Sequence, residues 1–295
     1  MSAARRGYAW GLLGVLGFSL TLPATRVAVA ELPPLFVGLG RELAAAVIAA
    51  PLLVLTHQPR LTAAQLRTLA LVIAGVVFGF PIFTALAMGK ADASHGAVVL
   101  GLLPLATAIA GFVIHHERPS PAFWLAALLG SGAVVFYALS AGAGRLSGAD
   151  AALGGAVVAG AVGYASGAKL AREIGAWPVI CWAVVVAAPL LLPIVAWVAW
   201  QQGLQASPRA WTGFAYVSVI SALLGFFAWY RGLDLGGVAR VSQTMLLQPF
   251  FTLGLAALLL GERITPLAVG CAAVVAASIL ISRRSRIHRR EVPRA

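Results

Sequence analysis

The chain has 295 residues, of which 61% are hydrophobic and only 10% are charged, whereas an average soluble domain is roughly 25% charged. This composition excludes an ordinary soluble enzyme, and the length leaves no room for an extra soluble domain beside about ten membrane crossings of about 20 residues each. The formal net charge of +12 does not indicate nucleic-acid binding, because the arginines lie between apolar runs and not on a folded basic face.

Apolar runs long enough to cross a bilayer predict an all-α integral membrane protein with ten transmembrane helices. In chain order the predicted spans cover residues 8–29, 35–55, 68–88, 95–114, 121–140, 151–171, 178–199, 212–230, 238–260 and 265–282. The connections between them are short, which favours antiparallel neighbours in one bundle. Cys181 and Cys271 both lie inside apolar stretches, so we expect no disulfide framework, no metal site and no cofactor.

Lys and Arg are distributed unevenly between the two sides of the predicted spans. With the N-terminus inside, 15 of the 21 basic residues lie on the cytoplasmic side, including the arginines of the tail 283–295. Because cytoplasmic segments carry the positive excess, the sequence predicts that both termini are cytoplasmic. We expect the basic tail to contact anionic lipid headgroups.

The two halves of the chain share a repeated pattern of residues. A shift of 145 residues aligns five identities, and a shift of 146 aligns three more near the start of each half. Matches in proline, glutamate and arginine rarely arise by chance in so apolar a chain. The matched pairs are Pro104/Pro249, Thr107/Thr252, Glu117/Glu262, Arg118/Arg263, Pro121/Pro266, Gly14/Gly160, Gly17/Gly163 and Arg26/Arg172.

The repeat predicts two five-helix halves, residues 1–145 with spans one to five and residues 146–282 with spans six to ten, followed by the basic cytoplasmic tail 283–295. Because five is odd, the second half must enter the membrane from the opposite side, so the repeats are inverted. Inverted halves can exchange conformations, which predicts alternating access. One chain contains both halves, so a monomer is sufficient.

Several repeated segments resemble the EamA-type transporters of the drug/metabolite transporter superfamily. The resemblance covers nearly the whole chain, but its motifs belong to the scaffold and name no substrate. One departure is His116, which stands where the second half has Gly261. The segments that carry the resemblance are residues 227–233, 248–250 and 261–263 in the second half, 103–105 and 117–118 in the first half, Gly17, Phe18 and Ser19 followed by Arg26, and residues 40–43.

The resemblance implies a ten-helix exporter of small amphipathic metabolites in a bacterial inner membrane, with a small molecule and the lipid bilayer as partners and no nucleic acid. Within the superfamily the aromatic residues favour the YddG-like branch of amino-acid exporters, with aromatic and hydrophobic amino acids as substrates. Sugar-phosphate carriers need several buried cations, and this sequence has few. An exporter of nucleosides or cationic drugs is the alternative. An intramembrane enzyme or a channel is a more distant one, and we expect no catalytic residues.

Substrate-binding candidates are the polar and aromatic residues that fall near the bilayer midplane or at the outer mouth, where inverted-repeat transporters hold substrate. The Gln248 amide must find partners either in the substrate or in another helix. Buried serines often bond their own helix carbonyls, and most aromatics simply pack or face lipid. The candidates are Ser19, Phe78, Phe80, Phe83, His95, Leu100, Tyr164, Ser221, Trp229 and Gln248.

Prolines interrupt four predicted spans, at Pro23, Pro81, Pro104 and Pro249. Each removes a backbone donor and frees a carbonyl on the preceding turn, so each marks either a gating bend or a fixed kink. Glycines at 7, 11, 14 and 17 and the Gly75 to Gly79 pair favour close helix contact over ligand binding.

One carboxylate lies well inside a predicted span, Glu42, and Arg41 is beside it. Adjacent residues point about 100° apart on a helix, so the sequence favours Arg26 as the partner of Glu42. A neutralised structural pair is one interpretation of these charges. A proton-coupling site is the other.

Overall fold

The computed structural model describes residues 3–90, 99–115, 117–140, 148–252, 254, 265–284 and 287–289. Its α-helices are α1 (Ala3–Phe18), α2 (Thr21–Val29), α3 (Pro34–Leu55), α4 (Ala63–Val72), α5 (Phe80–Met88), α6 (Leu103–His115), α7 (Pro121–Ser140), α8 (Gly148–Ile174), α9 (Ala176–Gln202), α10 (Pro208–Tyr216), α11 (Gly225–Gly236), α12 (Val238–Ser242) and α13 (Pro266–Arg284). A π-helical segment, Ile73–Gly79, joins α4 to α5, and a second, Val217–Leu224, joins α10 to α11. A 3-10 segment, Gln243–Leu247, follows α12.

Six helical stretches in the described residues are long and apolar enough to cross a membrane. They are Ala4–Val29, Pro34–Leu55, Ala63–Met88, Ala149–Ile174, Ala176–Gln202 and Pro208–Gly236, and they correspond to predicted spans one, two, three, six, seven and eight. Three shorter apolar helices, Leu103–Ile114, Pro121–Tyr137 and Val269–Ser282, fall in predicted spans four, five and ten. Spans four and nine lie partly outside the described residues.

The outer surface of the bundle is apolar. On α7, Leu125 is 62% exposed and Phe136 is 58% exposed, and Trp200 near the end of α9 is 89% exposed. Contiguous apolar surface of this kind is unfavourable in water and is typical of helices that face lipid.

The first predicted span is present as the helical stretch Ala4–Val29, but it is interrupted close to the predicted kink at Pro23. α1 ends at Phe18, α2 begins at Thr21, and Ser19 and Leu20 form a turn between them. Pro23 explains the position of the break, because it has no N–H to donate to the carbonyl of Ser19 four residues earlier. We call the turn at Ser19 and Leu20 the helix-1 break.

Several local features recur at the same place in both halves. The two π segments both lie in the middle of the third helical stretch of their half, and α5 and α11 begin immediately after them. Thr62 and Ser207, which are 145 residues apart, are both N-caps that accept a backbone hydrogen bond, from Gln65 at 3.3 Å and from Ala210 at 3.4 Å. π-helical segments are rare. Their occurrence at matching places in both halves therefore supports the internal repeat.

Helix packing is also alike in the two halves. α1 packs against α11 and α2 against α10, while α4 and α5 pack against α8. α3 packs against α9, and α7 against α13. Exchanging the two halves maps each of these contacts onto another contact of the same set or onto itself.

Glycines allow the backbones of α1 and α11 to touch. A Cβ atom added at Gly7 would lie 2.6 Å from the Cα of Gly236, and one added at Gly232 would lie 2.6 Å from the backbone nitrogen of Gly11. At the other crossing, a Cβ at Gly75 would lie 2.4 Å from the carbonyl oxygen of Ala159. Small residues permit such close approach in membranes, so the predicted role of Gly7 and Gly75 in helix contact is confirmed.

A short two-stranded ribbon departs from a purely α-helical fold. β1 (Glu117–Pro119) pairs antiparallel with β2 (Ile287–Arg289), with Arg118 opposite His288. The ribbon joins the connection between α6 and α7 to the start of the basic tail.

A carboxylate ties the loop after α2 to the start of α10. Glu31 accepts hydrogen bonds from the backbone N–H of Ser207 at 2.6 Å and from its hydroxyl at 2.7 Å. These two bonds, the backbone one first, hold the pKa of Glu31 below its ordinary value of 4.5.

We expect Gly232→Ala to lower the free energy of unfolding by about 1 to 3 kcal/mol, because the added methyl group forces α1 and α11 apart. Gly132→Ala is the matched control, since a Cβ there meets no atom within 4 Å. Thermal unfolding of the purified protein in detergent measures both. Equal stability of the two variants would contradict the close glycine contact.

We expect the Glu31 carboxylate to stabilise the fold above pH 4.5, and this contribution to disappear as the pH falls through the lowered pKa of the folded state. The melting temperature of Glu31→Gln should therefore lie below that of wild type near neutral pH and approach it in acid. Glu173→Gln, which changes an exposed carboxylate near the end of α8, is the control. A pH-independent difference for Glu31→Gln would exclude the ionic role of this residue.

Candidate functional site

A cavity of about 30 Å³ lies between the two halves. This volume holds roughly two water molecules. The first half contributes Phe18, Thr21, Leu22, Arg41, Phe80, Leu100 and Leu103 to its lining. The second half contributes Tyr164, Ser221, Phe226, Met245 and Gln248.

The cavity lies where helices depart from regular α geometry. Phe18 and Thr21 flank the helix-1 break, Ser221 belongs to a π segment, and Met245 belongs to the 3-10 segment. Phe80 is the first residue after the other π segment. Irregular backbone at membrane depth is found where it is buried in protein or lines a cavity.

Three consecutive carbonyl groups at the helix-1 break accept hydrogen bonds from side chains of the second half. The carbonyl of Gly17 accepts from the Tyr216 hydroxyl at 2.9 Å, and that of Phe18 from Nε2 of Gln248 at 3.0 Å. The carbonyl of Ser19 accepts from the Thr252 hydroxyl. We call these three hydrogen bonds the break contacts. They satisfy backbone groups near the break that would otherwise lack partners in an apolar environment.

A further polar contact crosses between the halves beside the cavity. The hydroxyl groups of Thr21 and Ser221 share a hydrogen bond of 2.7 Å. The Ser19 hydroxyl instead donates to the carbonyl of Val15 on its own helix at 2.7 Å. Ser19 is therefore buried next to the cavity, with its side chain already paired.

Matched residues of the two halves form much of the cavity wall. Phe18 and Tyr164 are 146 residues apart, and Leu100 and Met245 are 145 apart, as are Leu103 and Gln248. Phe80 and Phe226 are 146 residues apart and occupy similar positions, because Phe80 is the first residue after one π segment and Phe226 is the second residue after the other. The wall is thus built from similar positions of both halves, although Leu103 and Gln248 differ in polarity.

The aromatic side chains pack on one another around the cavity. Ring centroids of Phe18 and Phe226 are 5.1 Å apart, and those of Tyr164 and Phe226 are 5.8 Å apart. Trp229 lies behind them, fully buried, with its ring 5.5 Å from that of Tyr164. Edge-to-face and tilted contacts of this kind favour a rigid wall.

Arg41 and Glu42 form a buried ion pair on α3, with Nε of Arg41 2.9 Å from Oε1 of Glu42. The expected pair of Arg26 with Glu42 is wrong, because Glu42 pairs with Arg41. The Arg41 side chain is long enough to reach the neighbouring carboxylate, although adjacent residues point in different directions from a helix. Arg26 contacts the carbonyl of Met88 at 3.5 Å. In the described part of the chain, Oε2 of Glu42 has no hydrogen-bond partner.

The four predicted prolines lie at or just after departures from α geometry. Pro23 follows the helix-1 break, Pro81 follows a π segment, Pro104 follows the turn at residues 101–102, and Pro249 follows the 3-10 segment. The carbonyl of Pro104 faces Ser242 and Gln243, whose side chains approach it at 3.5 and 3.4 Å. A proline therefore accompanies four of the irregular segments, but not the π segment Val217–Leu224.

The structure brings part of the predicted substrate set to the cavity, namely Phe80, Leu100, Tyr164, Ser221 and Gln248. Phe78 packs against the main core, and Phe83 is 37% exposed and packs against Gly155. With Ser19 and Trp229 they lie outside the lining. His95 lies outside the described residues.

Sequence reasoning missed some of the lining, including Phe18, Phe226 and Met245. The repeat itself contained a signal for two of them, because Phe18 is the match of Tyr164 and Met245 is the match of Leu100. The sequence predicted Arg41 as a charge partner, but it did not predict that Arg41 lines the cavity. Among the described residues, no group of three His, Cys, Asp or Glu side chains is arranged to hold a metal ion.

Comparison with known proteins assigns the chain to a family. The model of the EamA-like transporter family matches twice, over residues 5–139 and 146–284. The uncharacterized transporter YdeK of Bacillus subtilis (strain 168) is 43% identical over 264 residues, which cover 90% of this chain and 92% of that protein. A solved crystal structure superposes with a TM-score of 0.75 at 17% identity, covering 94% of this chain and 96% of the other, and so shares the fold. Both halves of this multi-pass membrane protein match the family model, and the chain belongs to the EamA-like transporter family.

Proposed function

We propose that this transporter is a ten-helix secondary carrier, built from two inverted five-helix halves (residues 1–145 and 146–282), that moves small amphipathic metabolites by alternating access. The observation that carries the proposal is the cavity between the halves, whose wall is formed by similar positions of both. The twofold family match and the contact set, which is unchanged when the halves are exchanged, support the same architecture.

The cavity volume of about 30 Å³ is much smaller than a typical ligand pocket of roughly 300 Å³ or more. A metabolite therefore enters only when the halves move apart on one side of the membrane. Such a movement changes the break contacts, because Tyr216, Gln248 and Thr252 lie in the second half and their acceptors in the first. The prolines beside the irregular segments are the proposed bending points.

Aromatic and hydrophobic amino acids are the proposed substrates. The rings of Phe18, Tyr164 and Phe226 offer flat apolar walls for a side chain, and the polar groups of Gln248 and Arg41 lie in the same cavity. The proposed direction is export across a bacterial inner membrane, by a monomer with both termini in the cytoplasm.

The proposal predicts counterflow. Proteoliposomes loaded with unlabelled phenylalanine should accumulate labelled phenylalanine faster than empty ones, because an alternating site exchanges substrate across the membrane. Threonine and methionine, each with and without an opposing pH gradient, complete the series. Uptake without the gradient supports a facilitator, and uptake only with it supports proton antiport. Equal uptake by loaded and empty vesicles would exclude an alternating site, and failure of all three amino acids would exclude this substrate class.

Gln248→Ala should reduce phenylalanine transport by about fivefold, since it removes one amide contact of about 1 kcal/mol at the helix-1 break. The folded yield should be retained, because one interhelical hydrogen bond in a membrane protein is worth roughly 0.6 kcal/mol. Gln201→Ala, at the exposed end of α9, is the control. Wild-type transport by purified Gln248→Ala would remove this residue from the mechanism.

A further inference from the structure

The cavity lining is only partly matched between the two halves. Phe18, Tyr164, Leu100 and Met245 have counterparts across the repeat, but Arg41 does not. The position 146 residues after Arg41 is Ala187, a buried residue of α9. The charged side chain in the lining therefore comes from the first half alone.

Arg41 has donors left for a ligand. The residue is only 3% exposed and lines the cavity. In the part of the chain that the structure describes, its hydrogen bond runs from Nε to Glu42. The guanidinium carries four more N–H donors on its two terminal nitrogens. Glu42 pairs with Nε and neutralises the charge, which leaves the N–H groups of the two terminal nitrogens for an anion.

A second feature of the cavity lining also favours a negatively charged ligand. The helix α2 begins at Thr21 after the helix-1 break, and both Thr21 and Leu22 line the cavity with Arg41. The first N–H groups of a helix have no partners within it, and its N-terminus carries a partial positive charge. A helix N-terminus next to a buried arginine is suited to bind an oxyanion.

We propose that Arg41 and the N-terminus of α2 bind the carboxylate group of the transported metabolite, while the aromatic wall takes its apolar side chain. The inference deepens the function proposed above and rests on it. Because Arg41 and Glu42 are together neutral, a zwitterionic amino acid enters without adding net charge to the site. The site thus selects carboxylates of small size with an apolar or aromatic side chain.

Ligands with and without a free carboxylate test this in the unmodified protein. Phenylalanine, 3-phenylpropionate, phenylalanine methyl ester and phenethylamine are compared as competitors of labelled phenylalanine binding to the purified transporter. The two ligands with a free carboxylate should compete at least about tenfold better than the ester and the amine. Binding sites that recognise a polar group through buried partners reject analogues without that group.

Substitutions test which residue causes the preference for a free carboxylate. Arg41→Gln should reduce the preference for phenylalanine over its methyl ester to about one, whereas Glu42→Gln should increase it, because Glu42 then no longer competes for the guanidinium. Arg231→Gln is the charge control, since Arg231 lies on α11 in an exposed pair with Asp234 at 3.2 Å. Where Arg41→Gln does not fold, Arg41→Lys, which keeps the charge without the planar donors, should give a reduced preference.

The outcomes separate this proposal from the proposed function. Equal competition by phenylalanine and its ester in wild type overturns the carboxylate site, while counterflow of phenylalanine still supports the carrier. An unchanged preference in folded Arg41→Gln also overturns it. Absence of both binding and counterflow for every ligand of the series overturns the amino-acid substrate and this inference with it.

Discussion

Backbone carbonyls inside a bilayer need protein donors, and the helix-1 break places three of them in a row. Water cannot serve them there, and Pro23 removes the donor that would have bonded Ser19. Tyr216, Gln248 and Thr252 supply the missing hydrogen bonds from the second half. The docked second half therefore stabilises the break, and the cavity lies beside it between the halves. Any movement that opens the cavity has to replace these donors, either with water or with substrate.

The two halves pack in the same way but differ in their polar residues. Gly7 and Gly232 at one crossing, and Gly75 at the other, keep backbones in contact, since a bilayer provides little hydrophobic force between helices and close packing must replace it. Leu103 and Gln248 occupy matched positions and both line the cavity, but only the amide can hold a carbonyl of the broken helix. α8, the counterpart of the broken first span, is continuous through Tyr164. The helix-1 break in the first half and the Gln248 amide in the second thus make two otherwise similar halves different.

The buried Arg41–Glu42 pair adds a charge to this asymmetry. Removing two ions from water costs several kcal/mol each, and a pair recovers that cost only with good geometry and further hydrogen bonds. Here Oε2 of Glu42 has no hydrogen-bond partner in the described residues, so the pair is not optimised for stability. Intramembrane charges of this kind are associated with substrate or ion pathways, and Arg41 lies in the cavity wall.

The sequence by itself determined the membrane class, most span positions and the internal repeat, because hydropathy and repeated motifs are local properties of the chain. It also indicated Gln248, since an amide in a predicted membrane span must find a partner. Only the tertiary structure decided that Phe80 lines the cavity while Phe78 and Phe83 do not, because a π segment changes the direction in which the following residues point. It also decided that Glu42 pairs with Arg41 and not with Arg26. The packing of the whole bundle decides which face of a helix contacts which neighbour. A helix that is apolar on every side does not reveal that face in its sequence.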